Sequence, residues 1–192
     1  MPKKHIITIA GSLGSGKSST ANRIAEILGY SRASTGDFSR TLADQRGISL
    51  GELNKLAETD PSVDVALDNL NREVGTKKDI ILDSRLGFYF IPDSFKVFLY
   101  LDPKIAAQRI LQDAKVNPNR QKETTQGFDT EESVVESITL RRASEQKRYQ
   151  ETYGIKDNTA PENFDLVIDT ATMPLEGVAQ KIVDTYKTWL TS

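Results

Sequence analysis

Residues 11–18 have the sequence GSLGSGKS, which matches the pattern G-x-x-x-x-G-K-[ST]. The apolar run Ile6–Ala10 precedes this segment, and a stretch with helical spacing of apolar residues follows it to Leu28. Glycines let backbone N–H groups converge on phosphate oxygens, and the helix that follows adds the positive end of its dipole. A chance match is expected in roughly one chain in a hundred. Because a predicted strand and helix flank the loop, we favour a nucleoside triphosphate site.

The side chains of this loop have separate predicted roles. Lys17 can reach the β- and γ-phosphates, and the hydroxyl of Ser18 can complete a magnesium shell. The sequence therefore predicts a bound nucleotide with Mg²⁺. The predicted nucleotide-binding residues are Gly11, Ser12, Leu13, Gly14, Ser15, Gly16, Lys17, Ser18 and Ser19.

Composition and charge exclude several other classes of protein. The 192 residues suit one domain, residues 1–192, and 25 basic against 27 acidic residues give a net charge of −2. This balance does not favour a nucleic-acid or anionic-membrane partner. The absence of cysteine excludes disulfides, cysteine-ligated zinc and thiol catalysis, and a Ser-His-Asp triad would need the single histidine, His5. No apolar run approaches the roughly 18 residues of a membrane span. We expect a soluble, cytoplasmic monomer.

The order of predicted elements indicates an α/β fold with a five-stranded parallel sheet. Capping signals at Ser49–Glu52 and Asp60-Pro61 predict two helix starts, the first helix running to Thr59. Residues 113–129 are polar and contain proline and glycine, so we expect a mobile loop there. The predicted strands cover residues 5–10, 30–34, 79–83, 96–101 and 164–169, and the last of these is expected to be buried. The first predicted helix ends at Leu28, and further helices are predicted at 36–46, 61–74 and 130–153. A closing helix is predicted from its apolar stripe, which runs from Leu175 to Tyr186.

Missing motifs narrow the class of P-loop protein. A GTPase needs Asn-Lys-x-Asp, but the only Asn-Lys pair, Asn54-Lys55, is followed by leucine and alanine. Asp-x-x-Gly is also missing after the third strand, where Asp83 is followed by Ser84-Arg85-Leu86. Motor ATPases are longer and would be expected to carry a basic face. The sequence favours phosphoryl transfer to a small acceptor.

Charged residues follow the second and third predicted strands. Arg40 lies one helical turn after Ser34-Thr35-Gly36-Asp37, and Arg85 follows Asp83. Because ligands gather at the carboxyl ends of parallel strands, the two arginines could converge on one phosphate. The alternative is that each is an ordinary surface residue. Asp83 ends an apolar strand, as a Walker B carboxylate does, and could hold Mg²⁺ through water; its alternative role is a helix or turn cap.

With these residues the chain resembles nucleoside monophosphate kinases, and among them the short cytidylate kinases of archaeal type. Ser34–Asp37 is shared with adenylate kinases, whereas Arg148-Tyr149 with Tyr153-Gly154-Ile155 is more specific to the cytidylate group. Adenylate kinases would carry Phe-Pro-Arg where this chain has Arg85-Leu86-Gly87. The resemblance also includes Ser18-Ser19-Thr20, Asp102-Pro103, the Arg109 helix, Arg141, Ser144-Glu145 and Phe164–Asp169. The chain departs from the family pattern at Ser84, where the family usually has glycine. It departs again at residues 111–130, which are longer than the family's usual segment between the lid helices.

The resemblance implies a P-loop NTPase fold in which ATP and CMP or dCMP, with Mg²⁺, give ADP and CDP or dCDP. Residues 36–74 would form an acceptor-binding helical insert and residues 109–148 a lid. By resemblance the catalytic residues are Lys17, Arg85, Arg141 and Arg148; the acceptor is bound by Thr35, Asp37, Arg40 and Arg85; the metal is held by Ser18 and Asp83; and Arg109 lies against the base or phosphates of ATP.

Some readings stay open at this point. Arg141, Glu145 and Arg148 share one helix face at i, i+4 and i+7, and the alternative role is a solvated salt-bridge ladder. The aromatic run Phe88–Phe90 could wall the acceptor base or belong to the core. Two alternative functions stay open. The chain could be an adenylate kinase or another small-metabolite kinase, or it could be a catalytically inactive nucleotide-binding regulator. His5 is expected at the surface.

Overall fold

The structure is a computed structural model that describes residues 3–116 and 130–192. Its strands are β1 (Ile6–Gly11), β2 (Ser31–Ser34), β3 (Ile80–Asp83), β4 (Phe95–Tyr100) and β5 (Leu166–Asp169). They form one parallel sheet in the order β2-β3-β1-β4-β5, so the predicted five-stranded parallel sheet is confirmed. β1, which leads into the GSLGSGKS loop, is therefore central. The carboxyl ends of β1, β2 and β3 meet at one edge.

At least one helix lies between each pair of successive strands, and a last helix follows β5. The helices are α1 (Lys17–Leu28), α2 (Thr35–Arg46), α3 (Leu50–Leu56), α4 (Pro61–Val74), α5 (Gly87–Phe90), α6 (Pro103–Ala114), α7 (Glu131–Tyr153) and α8 (Leu175–Thr191), with a 3-10 turn at Pro161–Asn163. No helix in the described ranges is long and apolar enough to cross a membrane.

The sheet is covered on both faces, as expected for apolar parallel strands. On one face Ile7 and Ile9 of β1 pack with Ile24 of α1 and with Ile182 of α8. On the other face Ile6 packs in a cluster with Val74 of α4. This packing fixes α1 and the end of α4 relative to the sheet.

The helices between β2 and β3 have a small core of their own. Ala43, Leu53, Ala57 and Val63 are buried together, so α2, α3 and α4 form one packed unit. The predicted caps start two of these helices. Ser49 accepts from the backbone N–H of Glu52 while the Glu52 carboxylate accepts from that of Ser49, and Asp60 caps α4 ahead of Pro61. α3 ends at Leu56 rather than at the predicted Thr59.

Three other predictions differ from the structure. β5 is not a buried strand: it lies at the sheet edge, and Val167 is 41% exposed while Ile168 is buried. Leu175 also leaves the predicted stripe of α8, being 41% exposed at the first residue of that helix. The predicted loop at 113–129 overlaps the end of α6, which extends to Ala114. Residues 117–129 lie outside the described residues.

Candidate active site

The phosphate loop is held against β4 by its backbone. A Cβ on Gly11 would lie 2.4 Å from the carbonyl oxygen of Leu99, so no side chain can replace this glycine without moving β4. The backbone N–H of Ser12 donates to the same carbonyl at 2.9 Å. Gly14 and Gly16 have φ values of 72° and 83°, in the left-handed region that glycine favours. The loop therefore has the sharply turned backbone that the motif predicts.

Lys17, the first residue of α1, turns back over the loop. Its Nζ donates to the carbonyl oxygens of Gly11 at 2.8 Å and of Ser12 at 2.9 Å. Burial, followed by the positive charge of Arg85, lowers the pKa of Lys17 to about 8. This ammonium group is incompletely compensated, and an anion beside it would favour its charged form.

Ser18 and Asp83 lie close together, as the arrangement of parallel strands predicts. The Ser18 hydroxyl donates to Oδ2 of Asp83 at 2.7 Å, and Nη2 of Arg32 lies 3.5 Å from the same oxygen. Among the described residues no group of three or more His, Cys, Asp or Glu side chains could hold a metal. The hydroxyl and the carboxylate nevertheless fit Mg²⁺, which takes oxygen ligands and is commonly shared between one or two protein groups, phosphates and water.

A cleft opens between the phosphate loop, the ends of β2 and β3, and the helices α2, α4 and α7. Of the predicted site residues, those that line it are Leu13, Gly14, Lys17, Ser18, Thr35, Arg40, Asp83, Arg85, Arg141 and Arg148. The predicted residues that do not line it are Gly11, Ser12, Ser15, Gly16, Ser19, Asp37 and Arg109. The fold thus brings the phosphate loop and four predicted arginines to one opening.

Two of these arginines share one carboxylate. Nε of Arg85 lies 2.9 Å from Oε2 of Glu145, and Nε of Arg141 lies 2.9 Å from Oε1. Burial alone would raise the pKa of Glu145, but Arg85 and Arg141 outweigh it and lower that pKa. Burial and Arg85 lower the pKa of Arg141. Arg141 and Glu145 do form the i, i+4 salt bridge, but it is not a solvated one, because this face of α7 lines the cleft and the Glu145 side chain is only 15% exposed. The catalytic role of Arg141 and Arg148 stays a prediction.

Asp37 does not line the cleft itself but binds two arginine side chains next to it. Its carboxylate accepts from Arg40 at 2.5 Å and from Arg32 at 2.9 Å. Burial opposes ionisation, but the two guanidinium groups prevail and lower the pKa of Asp37. Asp37 therefore orients Arg40, which does line the cleft, whereas its predicted direct contact with the acceptor stays a prediction.

Neither Arg109 nor the aromatic run Phe88–Phe90 lines the cleft, although Tyr89 and Phe90 pack on Tyr153, which does. Nη2 of Arg109 donates to the carbonyl oxygens of Thr170 at 2.7 Å and Ala171 at 2.9 Å, so it anchors the segment after β5. Its predicted contact with ATP stays a prediction. Phe88 packs on Phe164, with ring centroids 5.2 Å apart, and none of the residues 88–90 lines the cleft. Phe88 is half-buried, whereas Phe90 packs against the cluster of Ile6 and Val74, so the core role is shown for Phe90.

Sequence reasoning missed the wall that α4 contributes. Asp64, Asp68 and Asn71 all line the cleft. Asp64 lies 3.3 Å from Nε of Arg148, and Asp68 accepts from the Tyr153 hydroxyl at 2.9 Å. Their spacing of i, i+4 and i+7 places three polar groups on one helix face, and this periodicity was a usable signal.

Asn71 also forms a hydrogen bond with Ser84, the residue at which the chain departs from the family's usual glycine. The Ser84 hydroxyl donates to Oδ1 of Asn71 at 2.7 Å, and both residues are buried. Nδ2 of Asn71 donates to the carbonyl oxygen of Leu67 at 2.8 Å. The serine therefore has a structural partner and leaves Arg85 in the cleft.

Comparisons with known proteins agree with this architecture. A sequence model described as the cytidylate kinase-like family matches residues 6–172, a range that includes all five strands. The cytidylate kinase of Natronomonas pharaonis is 36% identical over 180 residues, which cover 90% of this chain and 84% of that protein.

Two further similarities concern a longer protein and a solved structure. An S-adenosylmethionine-dependent nucleotide dehydratase of Lacinutrix mariniflava is 33% identical over 183 residues, or 94% of this chain and 36% of that protein. The chain thus spans about a third of that relative's length. A shikimate kinase structure from Bacteroides thetaiotaomicron has a TM-score of 0.64 and 12% identity, covering 96% of this chain and 97% of that one. This likeness shows a shared fold, and the predicted P-loop NTPase fold is confirmed.

Proposed function

We propose, because the chain belongs to the cytidylate kinase-like family, that it transfers the γ-phosphate of ATP to a pyrimidine nucleoside monophosphate, CMP or dCMP. The resemblance to nucleoside monophosphate kinases is confirmed by the family match and by the relatives that bear the name cytidylate kinase. The pyrimidine acceptor, the use of ATP with Mg²⁺ and the residue roles are the proposed parts. Residues 36–74 would hold the acceptor and residues 109–148 would form the lid.

The observation that carries the proposal is a second cationic group facing the phosphate loop. Arg40, Arg85 and Arg141 line the same cleft as Lys17. A protein that only bound a nucleoside triphosphate would need the loop but not these arginines. Their position supports a second phosphate group in the cleft, and a phosphate oxygen of the acceptor would be the attacking atom.

The proposed reaction needs no general base, because the attacking phosphate oxygen is already an anion. Catalysis then depends on alignment of the two phosphates and on compensation of the charge that spreads over the transferred group. Lys17 and Arg85 suit this role: each is at the cleft surface, and Arg85 is close enough to help lower the pKa of Lys17. Ser18 and Asp83 would hold Mg²⁺, which when bound supplies further positive charge to the phosphate oxygens.

A coupled assay of ADP release tests the proposal. The wild-type protein is supplied with ATP and Mg²⁺ and, separately, CMP, dCMP, UMP, AMP, GMP and shikimate. We expect the highest kcat/KM with CMP or dCMP. A clear preference for AMP or shikimate would assign the chain to another kinase specificity. ATP binding without transfer to any of the six compounds would indicate a nucleotide-binding regulator.

A further inference from the structure

The cleft has two chemically different ends. At one end Arg85 and Arg141 pair with the carboxylate of Glu145, and Lys17 and Asp83 line the same part of the cleft. Towards the other end α4 faces α7, so that Asp64 pairs with Arg148 and, one turn further along both helices, Asp68 pairs with Tyr153. Phosphates match the cationic end. The nucleoside of an acceptor would therefore extend along α4 and α7 towards Asp68.

Asp68 is a carboxylate that retains acceptor capacity and, unlike Asp64, lies one turn further from the cationic end. The residue is 7% exposed and lines the cleft. Its Oδ1 accepts from the hydroxyl of Tyr153 at 2.9 Å, and its Oδ2 lies 3.6 Å from Nη2 of Arg72, whose side chain is 57% exposed. A carboxylate has about four acceptor positions, so these partners leave some of them open.

The two neighbours of Asp68 on the same helix face are already committed. Asp64 forms an ion pair with Nε of the largely buried Arg148 at 3.3 Å, although burial still raises the pKa of Asp64. The amide of Asn71 donates to Leu67 and accepts from Ser84. Burial raises the pKa of Asp68, as it does that of Asp64, so the two carboxylates differ in their partners and in their place along the cleft rather than in this shift.

We infer that Asp68 is a specificity residue that accepts a hydrogen bond from the exocyclic amino group of the acceptor base. Cytosine presents an amino donor at C4 where uracil presents a carbonyl oxygen. A carboxylate oxygen opposite that carbonyl would gain no hydrogen bond and would face another acceptor. The inference rests on the proposed function, and it names the side chain that separates CMP from UMP.

Tyr153 makes an Asp68→Asn variant informative. Because the tyrosine hydroxyl donates to Oδ1, the introduced amide would keep its oxygen towards Tyr153 and turn its NH₂ group towards the base. That NH₂ group can donate to the uracil carbonyl but not to the cytosine amino group. The variant should thus change the preference between bases while the fold and the phosphate end remain as they are.

The experiment measures kcat/KM of wild type and Asp68→Asn with CMP, with UMP and with a CMP analogue that lacks the 4-amino group. We expect the ratio of CMP to UMP to fall by about tenfold to a hundredfold in the variant, the range for one hydrogen bond to a charged group. Wild type should lose about tenfold or more with the analogue, and the variant should not. Glu73→Gln is the matched control: it makes the same change on α4 at a side chain that is 63% exposed, and should leave all ratios unchanged.

The design separates failure of the inference from failure of the proposed function. If wild type is fastest with CMP but neither the analogue nor Asp68→Asn changes the preference, the specificity role is overturned and the kinase assignment stands. If wild type prefers AMP, the proposed acceptor is wrong, while a selective loss of AMP turnover in Asp68→Asn would still support recognition of an amino group. Should the variant not fold, the analogue with wild type decides alone: equal kcat/KM for CMP and the analogue would refute the inference.

Discussion

Replacing Glu145 by glutamine should destabilise the nucleotide-free protein and should do so less when nucleotides are bound. The carboxylate lies 2.9 Å from both Arg85 and Arg141. Without its charge these two guanidinium groups face each other in the cleft with no anion between them. Phosphates bound in the cleft would replace the missing negative charge.

The size of the effect follows from burial. Removing one partner of a fully buried ion pair costs about 3–5 kcal/mol. The side chains of Glu145, Arg85 and Arg141 keep 15%, 26% and 30% exposure, so solvent screens part of the loss. We expect a loss of about 2–3 kcal/mol in the free energy of unfolding. For a chain of this length that lowers the Tm by about 4–12 °C.

Thermal unfolding of wild type and Glu145→Gln measures this loss, first alone and then with ADP and CMP, a pair between which the forward transfer cannot occur. Glu73→Gln is the control, because it removes the carboxylate of an exposed pair with Lys77 at 2.7 Å and should leave the Tm unchanged.

The dependence of this stability contribution on pH has a defined sign. Since the two arginines lower the pKa of Glu145, its contribution is present above the usual glutamate pKa and disappears as the pH falls through the lowered value. Equal Tm values for wild type and Glu145→Gln at neutral pH would refute the reasoning.

Three predictions concern Lys17 and Arg85. Lys17→Ala should stay folded by circular dichroism but lose about 3–5 kcal/mol of transition-state stabilisation in kcat/KM, and near-native turnover by the folded variant would contradict this. Because the pKa of Lys17 is lowered to about 8 and ATP phosphates should raise it again, ATP binding at pH 8 should take up as much as about half a proton, seen by calorimetry in buffers of different ionisation enthalpy and lost in Lys17→Ala. Arg85→Ala should raise the KM of the acceptor more than that of ATP; a change in the ATP constant alone would place Arg85 on the donor side.

The part of the site that sequence predicted depends on local motifs and on one rule of sheet geometry. The GSLGSGKS spacing identified the loop. The rule that parallel strands end at a common edge brought Asp83 to Ser18, and Arg40 and Arg85 to one cleft. These inferences needed the succession of strands but not the packing of helices.

The rest depends on tertiary packing between distant segments. Asp64 and Asp68 acquire their partners only because α4 faces α7, some 80 residues later, where Arg148 and Tyr153 meet them. The carbonyl partners of Arg109 follow β5, about 60 residues away. Strand order is likewise not encoded in apolar composition, so the edge position of β5 was missed. The four residues of α5 are too few to show helical periodicity.

The hydrogen bond between Ser84 and Asn71 has an evolutionary consequence. It links the end of β3, beside Asp83 and Arg85, to the face of α4 that carries Asp68. A homologue with glycine at the position of Ser84 has no hydroxyl to offer, and a buried amide oxygen that loses its donor costs about 1–3 kcal/mol. A substitution at one of the two positions is therefore tolerated better when the other changes with it, and residue types at 84 and 71 are expected to covary among relatives. Chimeras that exchange α4 between homologues should keep both residues from the same parent.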